Sequence, residues 1–192
     1  MWLLSQASNI ILQYIKPLSA MRGVFFMKIK QLYYTMKYAR LTKEQLDSLQ
    51  QEFINFLATQ TITANEWNTI KKEKPEVAEQ EIDVFSDLVW EGALGQAKFL
   101  ENISPTVLFL FKLGEQQMSL ISIKVAREGV DITTKKGYEW LQKNYASDEV
   151  TFYTAKKEYT EDKHLDIFKL IQQGAVITKG ALYDFFNDIL NR

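Results

Sequence analysis

Apolar residues recur along this chain with two different periods. From Leu46 through Leu49, Phe53, Phe56 and Leu57 they return every three or four residues, the stripe of an amphipathic helix of about five turns. Thr42 and Gln45 stand at capping-box spacing before it. Thr63 and Glu66 repeat that signature and predict a short helix carrying Trp67 and Ile70. Pro75 suits the first turn of a third helix, where its missing N–H costs nothing. Ala78, Ile82, Phe85, Val89 and Gly92 line one side of that helix, and Gly92 and Gly95 weaken its far end.

The period then changes to two. Val107, Phe109, Phe111 and Leu113 alternate with Leu108, Leu110 and Lys112, and both sides are largely apolar. That pattern predicts a central strand covered on both faces for most of its length. Gly114-Glu115-Gln116 supplies a turn, and Ile121, Ile123 and Val125 continue into a second strand, making a hairpin. Phe99, Glu101 and Ile103 form a candidate strand ending at Ser104-Pro105, where proline bars ladder donation.

Helix returns at Thr133 or Thr134 with Tyr138, Trp140, Leu141 and Tyr145. Val150, Phe152 and Thr154 predict another strand. Thr160 is read as the start of a helix with Leu165, Phe168 and Ile171, capped by Gly174. Thr178 is read as the start of the last one, with Leu182, Phe185, Phe186 and Ile189 on one face. The expected class is α+β, with a small, mostly antiparallel sheet of three to four strands packed with about five to six helices.

Charge adds a boundary that periodicity does not show. The 192 residues hold 23 Lys and Arg against 24 Asp and Glu. Residues 1–43 contain seven of the bases and no acid, so residues 44–192 carry 16 bases and 24 acids, a net of −8. Residues 1–35 are therefore set apart as a basic, apolar N-terminal extension, and 36–192 as a single α+β domain. Three readings of the extension compete: upstream sequence before a true start at Met36, or less favourably Met27; a membrane-surface segment over residues 1–27, anchored by Trp2, Leu3, Leu4, Ile10, Ile11 and Phe25; and an extra packed helix. The regular pattern that begins at Met36 favours the first. The stretch from Met1 to Ile15 is too short and too polar to span a bilayer.

Composition removes familiar chemistry. With no cysteine there is no thiolate nucleophile, disulfide or Cys-based metal site. The one histidine, His164, leaves no two-histidine metal motif. No nucleophile-elbow motif supports a triad around it. Thr133-Thr134-Lys135-Lys136-Gly137 has phosphate-friendly residues at a helix start but lacks the P-loop order, so N-capping accounts for it. Trp67, Trp90, Trp140, Tyr138, Tyr153 and Phe152 could stack bases, but the acidic body lacks the positive groove such proteins use. Core or interface packing is the reading preferred.

One constellation stands out. Glu79, Asp83, Asp87 and Glu91 are spaced by four, so all four carboxylates leave one helical face, opposite the apolar side. The row reads first as a solvated face, second as a surface for a basic protein partner, and only third as a seat for Mg²⁺ or Ca²⁺.

From Met36 onward the chain resembles a family of uncharacterised proteins of Bacteroidota. The residues that carry the resemblance are Met36-Lys37-Tyr38-Ala39-Arg40-Leu41-Thr42, Phe85-Ser86-Asp87-Leu88-Val89, Asp166-Ile167-Phe168 and Ile171-Gln172-Gln173-Gly174-Ala175. The resemblance implies a start at Met36 and a bacterial cytoplasm, and it brings no functional residues with it. The functional expectation is a cytoplasmic, non-enzymatic protein-interaction or accessory module, with no cofactor, a protein partner and no bulk nucleic-acid binding. The alternatives are a carboxylate-dependent enzyme, Mg-assisted or not, and an accessory to translation or RNA handling.

Overall fold

A computed structural model describes residues 35–191. Residues 1–34 lie outside them, and with them almost all of the extension and the membrane-surface reading of residues 1–27. The chain divides into two compact units that meet in sequence between Gln96 and Ala97. Among the described residues there are seven helices and one five-stranded antiparallel sheet, one to two helices and one to two strands more than the pattern predicted.

The first unit is helical: α1 (Lys43–Ser48), α2 (Gln50–Thr59), α3 (Ala64–Glu73) and α4 (Pro75–Gln96). Both capping boxes form as expected, Thr42 with Gln45 and Thr63 with Glu66. The five-turn helix, however, is two helices. Leu49 leaves helical geometry at φ −107° and ψ 23°, and its N–H is shared between the carbonyls of Gln45 and Leu46, both at 3.1 Å. Its side chain is buried, so the kink turns it inward. α4 runs through Gly92 and Gly95 to Gln96. A glycine costs a helix about 1 kcal/mol, and burial of Val89, Trp90, Ala93 and Leu94 outweighs two of them. Phe53 lies between Trp67 and Phe85, with ring centres 5.4 and 5.0 Å away, and forms an aromatic core with Phe56.

The second unit is the sheet and its helices. Strands β1 (Phe99–Ile103), β2 (Val107–Leu113), β3 (Gln117–Val125), β4 (Val150–Glu158) and β5 (Val176–Thr178) lie in the order β4-β3-β2-β1-β5. The helices are α5 (Lys135–Asn144), α6 (Lys163–Gln172) and α7 (Ala181–Leu190). The expected β2–β3 hairpin and the β1 strand are both present. Leu108, Leu110, Ile121, Ile123, Val125 and Val150 share one sheet face and pack with Leu141 of α5 and Tyr183 and Phe186 of α7. Gly137 lets α5 approach its own lead-in: a Cβ there would fall on the Asp131 carbonyl oxygen.

Two helix starts move. α6 begins after Asp162, whose side chain accepts from the Leu165 N–H, rather than at Thr160. α7 begins after Gly180, because Thr178 is already committed to the β5 ladder opposite Phe99. Gly174 closes α6 at φ +97°, as its residue type predicted.

Among the described residues one non-glycine position is held left-handed. α2 ends in a paired-bond C-cap, with Ile62 N–H to Leu57 O and Thr61 N–H to Ala58 O, both at 3.0 Å. The residue that must turn left-handed there is Thr61, at φ 61°, and a branched Cβ resists that region. Thr61→Gly should therefore raise the unfolding free energy by about 1 kcal/mol, read from urea denaturation. An unchanged or lowered midpoint would show that the turn costs nothing.

Candidate functional site

The acidic row on α4 is occupied by the chain's own residues 37–41. The Lys37 and Tyr38 N–H groups both donate to Asp87, at 2.6 and 2.9 Å. The Lys37 ammonium stands 3.3 Å from Glu91, and the Tyr38 hydroxyl donates to the same carboxylate. The Trp90 indole N–H donates to the Ala39 carbonyl at 2.9 Å. The Arg40 guanidinium bonds Asp83 at 2.6 Å and also Glu79. The Leu41 N–H reaches the Ser86 hydroxyl at 3.2 Å, and that hydroxyl donates to the Ile82 carbonyl at 2.7 Å.

Each residue from 37 to 41 thus holds α4, and the segment runs antiparallel to the helix. Lengths explain the fit. Three extended residues span roughly 10 Å, and the eight residues from Asp83 to Glu91 rise about 12 Å along a helix. Two cations three apart therefore meet carboxylates two turns apart. That match of opposite charge and reach is present in the sequence, and the docking of an extended segment on the helix joins its two halves. The arrangement also sets ionisation. Burial and the Glu91 carboxylate push the Tyr38 phenol well above its usual range, so it stays a donor. The hydrogen bond to Asp83 comes first among the causes that hold Arg40 above its ordinary value.

The other candidates fall into plainer places. Thr134 caps α5, and Asp131 accepts from the Thr133 N–H and hydroxyl, so a carboxylate already stands at that helix start. His164 lies in the first turn of α6, half-buried. Trp67, Trp90, Trp140, Tyr138 and Phe152 are buried or half-buried, whereas Tyr153 is 59% exposed. Among the described residues no three carboxylates or imidazoles converge to hold a metal ion. A shallow groove of about 320 Å³ in the first unit is lined by Leu46, Asp47, Gln50, Phe53 and Ile82.

Two carboxylates of the second unit are withdrawn from water, Asp166 buried and Glu101 half-buried. Asp166 is 6% exposed. It accepts the Thr160 N–H at 2.7 Å and faces Lys169 at 3.3 Å. Burial pushes its carboxyl up, and those bonds more than offset it, leaving it below its ordinary value. Burial also pushes the nearby Tyr159 phenol up to about 12. Glu101 on β1 accepts from the Thr178 hydroxyl at 3.0 Å, and burial raises it.

A model of a family of unknown function, DUF6495, matches residues 36–191. The chain belongs to this family. The DUF6495 match spans both units and starts one residue before the segment that docks on α4. Neither a curated protein nor a solved structure matches the chain. Among the described residues no helix is long and apolar enough to cross a membrane.

The docked segment makes a graded prediction. The Arg40 side chain is 41% exposed, so Arg40→Ala should cost under about 1 kcal/mol and less at high salt. Leu41 is 3% exposed, so Leu41→Ala should cost about 2–5 kcal/mol with little salt dependence. Urea denaturation of both variants at two salt concentrations checks the order; a reversed order would mean that charge, not burial, fastens the segment.

Asp166 makes a prediction about pH. Its folded value lies below its unfolded one, so its ionised form adds stability above the unfolded value, about pH 4. That stability is lost as pH falls through the folded value. Asp166→Asn should be less stable than the parent at neutral pH, and the gap should close below about pH 4. Unfolding midpoints against pH measure it; a gap that does not narrow in acid contradicts the assignment.

Proposed function

We propose that the chain is a non-enzymatic protein-interaction module of a bacterial cytoplasm, as its likeness to proteins of Bacteroidota implies. Its partner contact is assigned to the sheet face that carries Phe109 and Tyr153. One observation carries this reading. The ladder sets Asn102, Phe109, Ser122 and Tyr153 in one row across β1 to β4. Phe109 is 36% exposed and Tyr153 59%. Their strands flank β3, so the two residues stand about 10 Å apart over Ser122.

Charge supports the choice of partner. The strand positions of that face include Lys124 and Lys157 and no acid, in a chain whose residues 44–192 carry −8. An apolar protein segment with an acidic rim fits rings and lysines together. Single-stranded RNA would use the same rings by stacking, but two lysines neutralise few phosphates. On this reading the acidic row of α4 serves first as the seat of residues 37–41.

A photo-crosslinking residue at position 153, expressed in the native host, tests the assignment against the same residue at exposed Glu139. Crosslinks to one protein at 153 and not at 139 are expected. Crosslinks to RNA would favour the accessory reading, and equal background at both sites would sink the surface. Tyr153→Ala should leave stability within about 0.5 kcal/mol while abolishing the contact.

A further inference from the structure

The two edges of the sheet are unlike. β5 has three residues, and a short edge is protected by its length. β4 has nine. Its register with β3 runs without a bulge from Val150 opposite Val125 to Glu158 opposite Gln117, and it holds no proline or glycine. Every residue from Thr151 to Glu158 except Phe152 is exposed.

The ladder fixes which backbone groups point outward. The Ala126 N–H donates to the Glu149 carbonyl at 2.8 Å, and the Tyr159 N–H to the Gln116 carbonyl at 3.3 Å. In an antiparallel pair the bonded residues alternate. Residues 151, 153, 155 and 157 therefore bond to β3, and Phe152, Thr154, Lys156 and Glu158 turn their N–H and C=O away from it. Those outward groups meet no backbone partner among the described residues.

We infer that β4 pairs edge to edge, antiparallel, with β4 of a second copy of this chain about a two-fold axis at Ala155, joining two five-stranded sheets into one of ten. The register is the one that sets the exposed Tyr153 ring against a lysine with no like charges opposite. About Ala155, Thr154 faces the second copy's Lys156, and Phe152 faces its Glu158, all through outward-pointing backbone. On the other face Tyr153 stands opposite the second copy's Lys157, which places an ammonium against an exposed ring. No like charges are directly opposite. Shifting the axis by one residue to Lys156 sets lysine against lysine, which is unfavourable. Lysines on an edge commonly keep other chains away; here the pair is spaced so that each finds a neutral partner across the axis. This inference goes beyond the sheet-face proposal and stands without it, although it would bring the two copies of that face together.

Sedimentation equilibrium of the full chain over a wide concentration range tests it, with circular dichroism reporting the fold of each variant. The parent should show a monomer–dimer equilibrium. Thr154→Pro removes an outward N–H that β3 does not use, so it should keep the fold and lose the dimer. Thr154→Lys sets two like-charge pairs across the axis and should weaken the dimer by about tenfold. Adding Lys156→Glu to Thr154→Lys should restore it, which no other register predicts. A parent that stays monomeric throughout overturns the inference. So does a dimer that survives Thr154→Pro, or a double variant no tighter than Thr154→Lys.

Discussion

Four carboxylates at four-residue spacing repel one another, and in the first unit residues 37–41 dock against the helix that carries them. Each like-charge pair costs a helix a few tenths of a kcal/mol, and the chain answers with its own residues 37–41. The answer is more than charge. Asp87 accepts two backbone N–H groups, Ser86 takes a third, and the Trp90 indole returns one to Ala39. Exposed ion pairs alone contribute little. The buried Leu41 and the backbone bonds do the fastening, and Lys37 and Arg40 set the direction in which the segment lies.

Periodicity carried most of the fold. The capping boxes at Thr42 and Thr63, the proline start of α4, the β2–β3 hairpin and the cap at Gly174 all follow from local chemistry and appear as read. The errors have a common cause. The predicted helix kinks at Leu49, which turns its side chain inward, and Thr178 joins a strand because Phe99 lies opposite. Burial of Leu49 and the Thr178–Phe99 pairing are both tertiary facts, which a local pattern does not contain. β5, with three residues, is too short to show a period at all.

The candidate site was legible by halves. The spacing of Glu79, Asp83, Asp87 and Glu91 showed one face, and Lys37 and Arg40 stood in the sequence as bases before a capped helix. What joined them was the antiparallel docking of an extended segment on a helix, a tertiary fact. Likewise β2 read as a strand covered on both faces because Phe109 is apolar. Its 36% exposure became visible only when the sheet placed it beside Tyr153.

The second unit distributes its apolar surface unevenly. One sheet face is filled by α5 and α7 through Leu141, Tyr183 and Phe186. The opposite face leaves Phe109 and Tyr153 partly in water, and four residues of the β4 edge turn N–H and C=O groups outward with no backbone partner among the described residues. A surface aromatic by itself is ordinary. Two on one row, on a face whose strand positions carry only lysines for charge and beside a long unbroken edge, place apolar area, positive charge and hydrogen-bonding capacity together. Each of those makes a modest contribution alone. Together they set the second unit's open surface apart from the face that α5 and α7 fill.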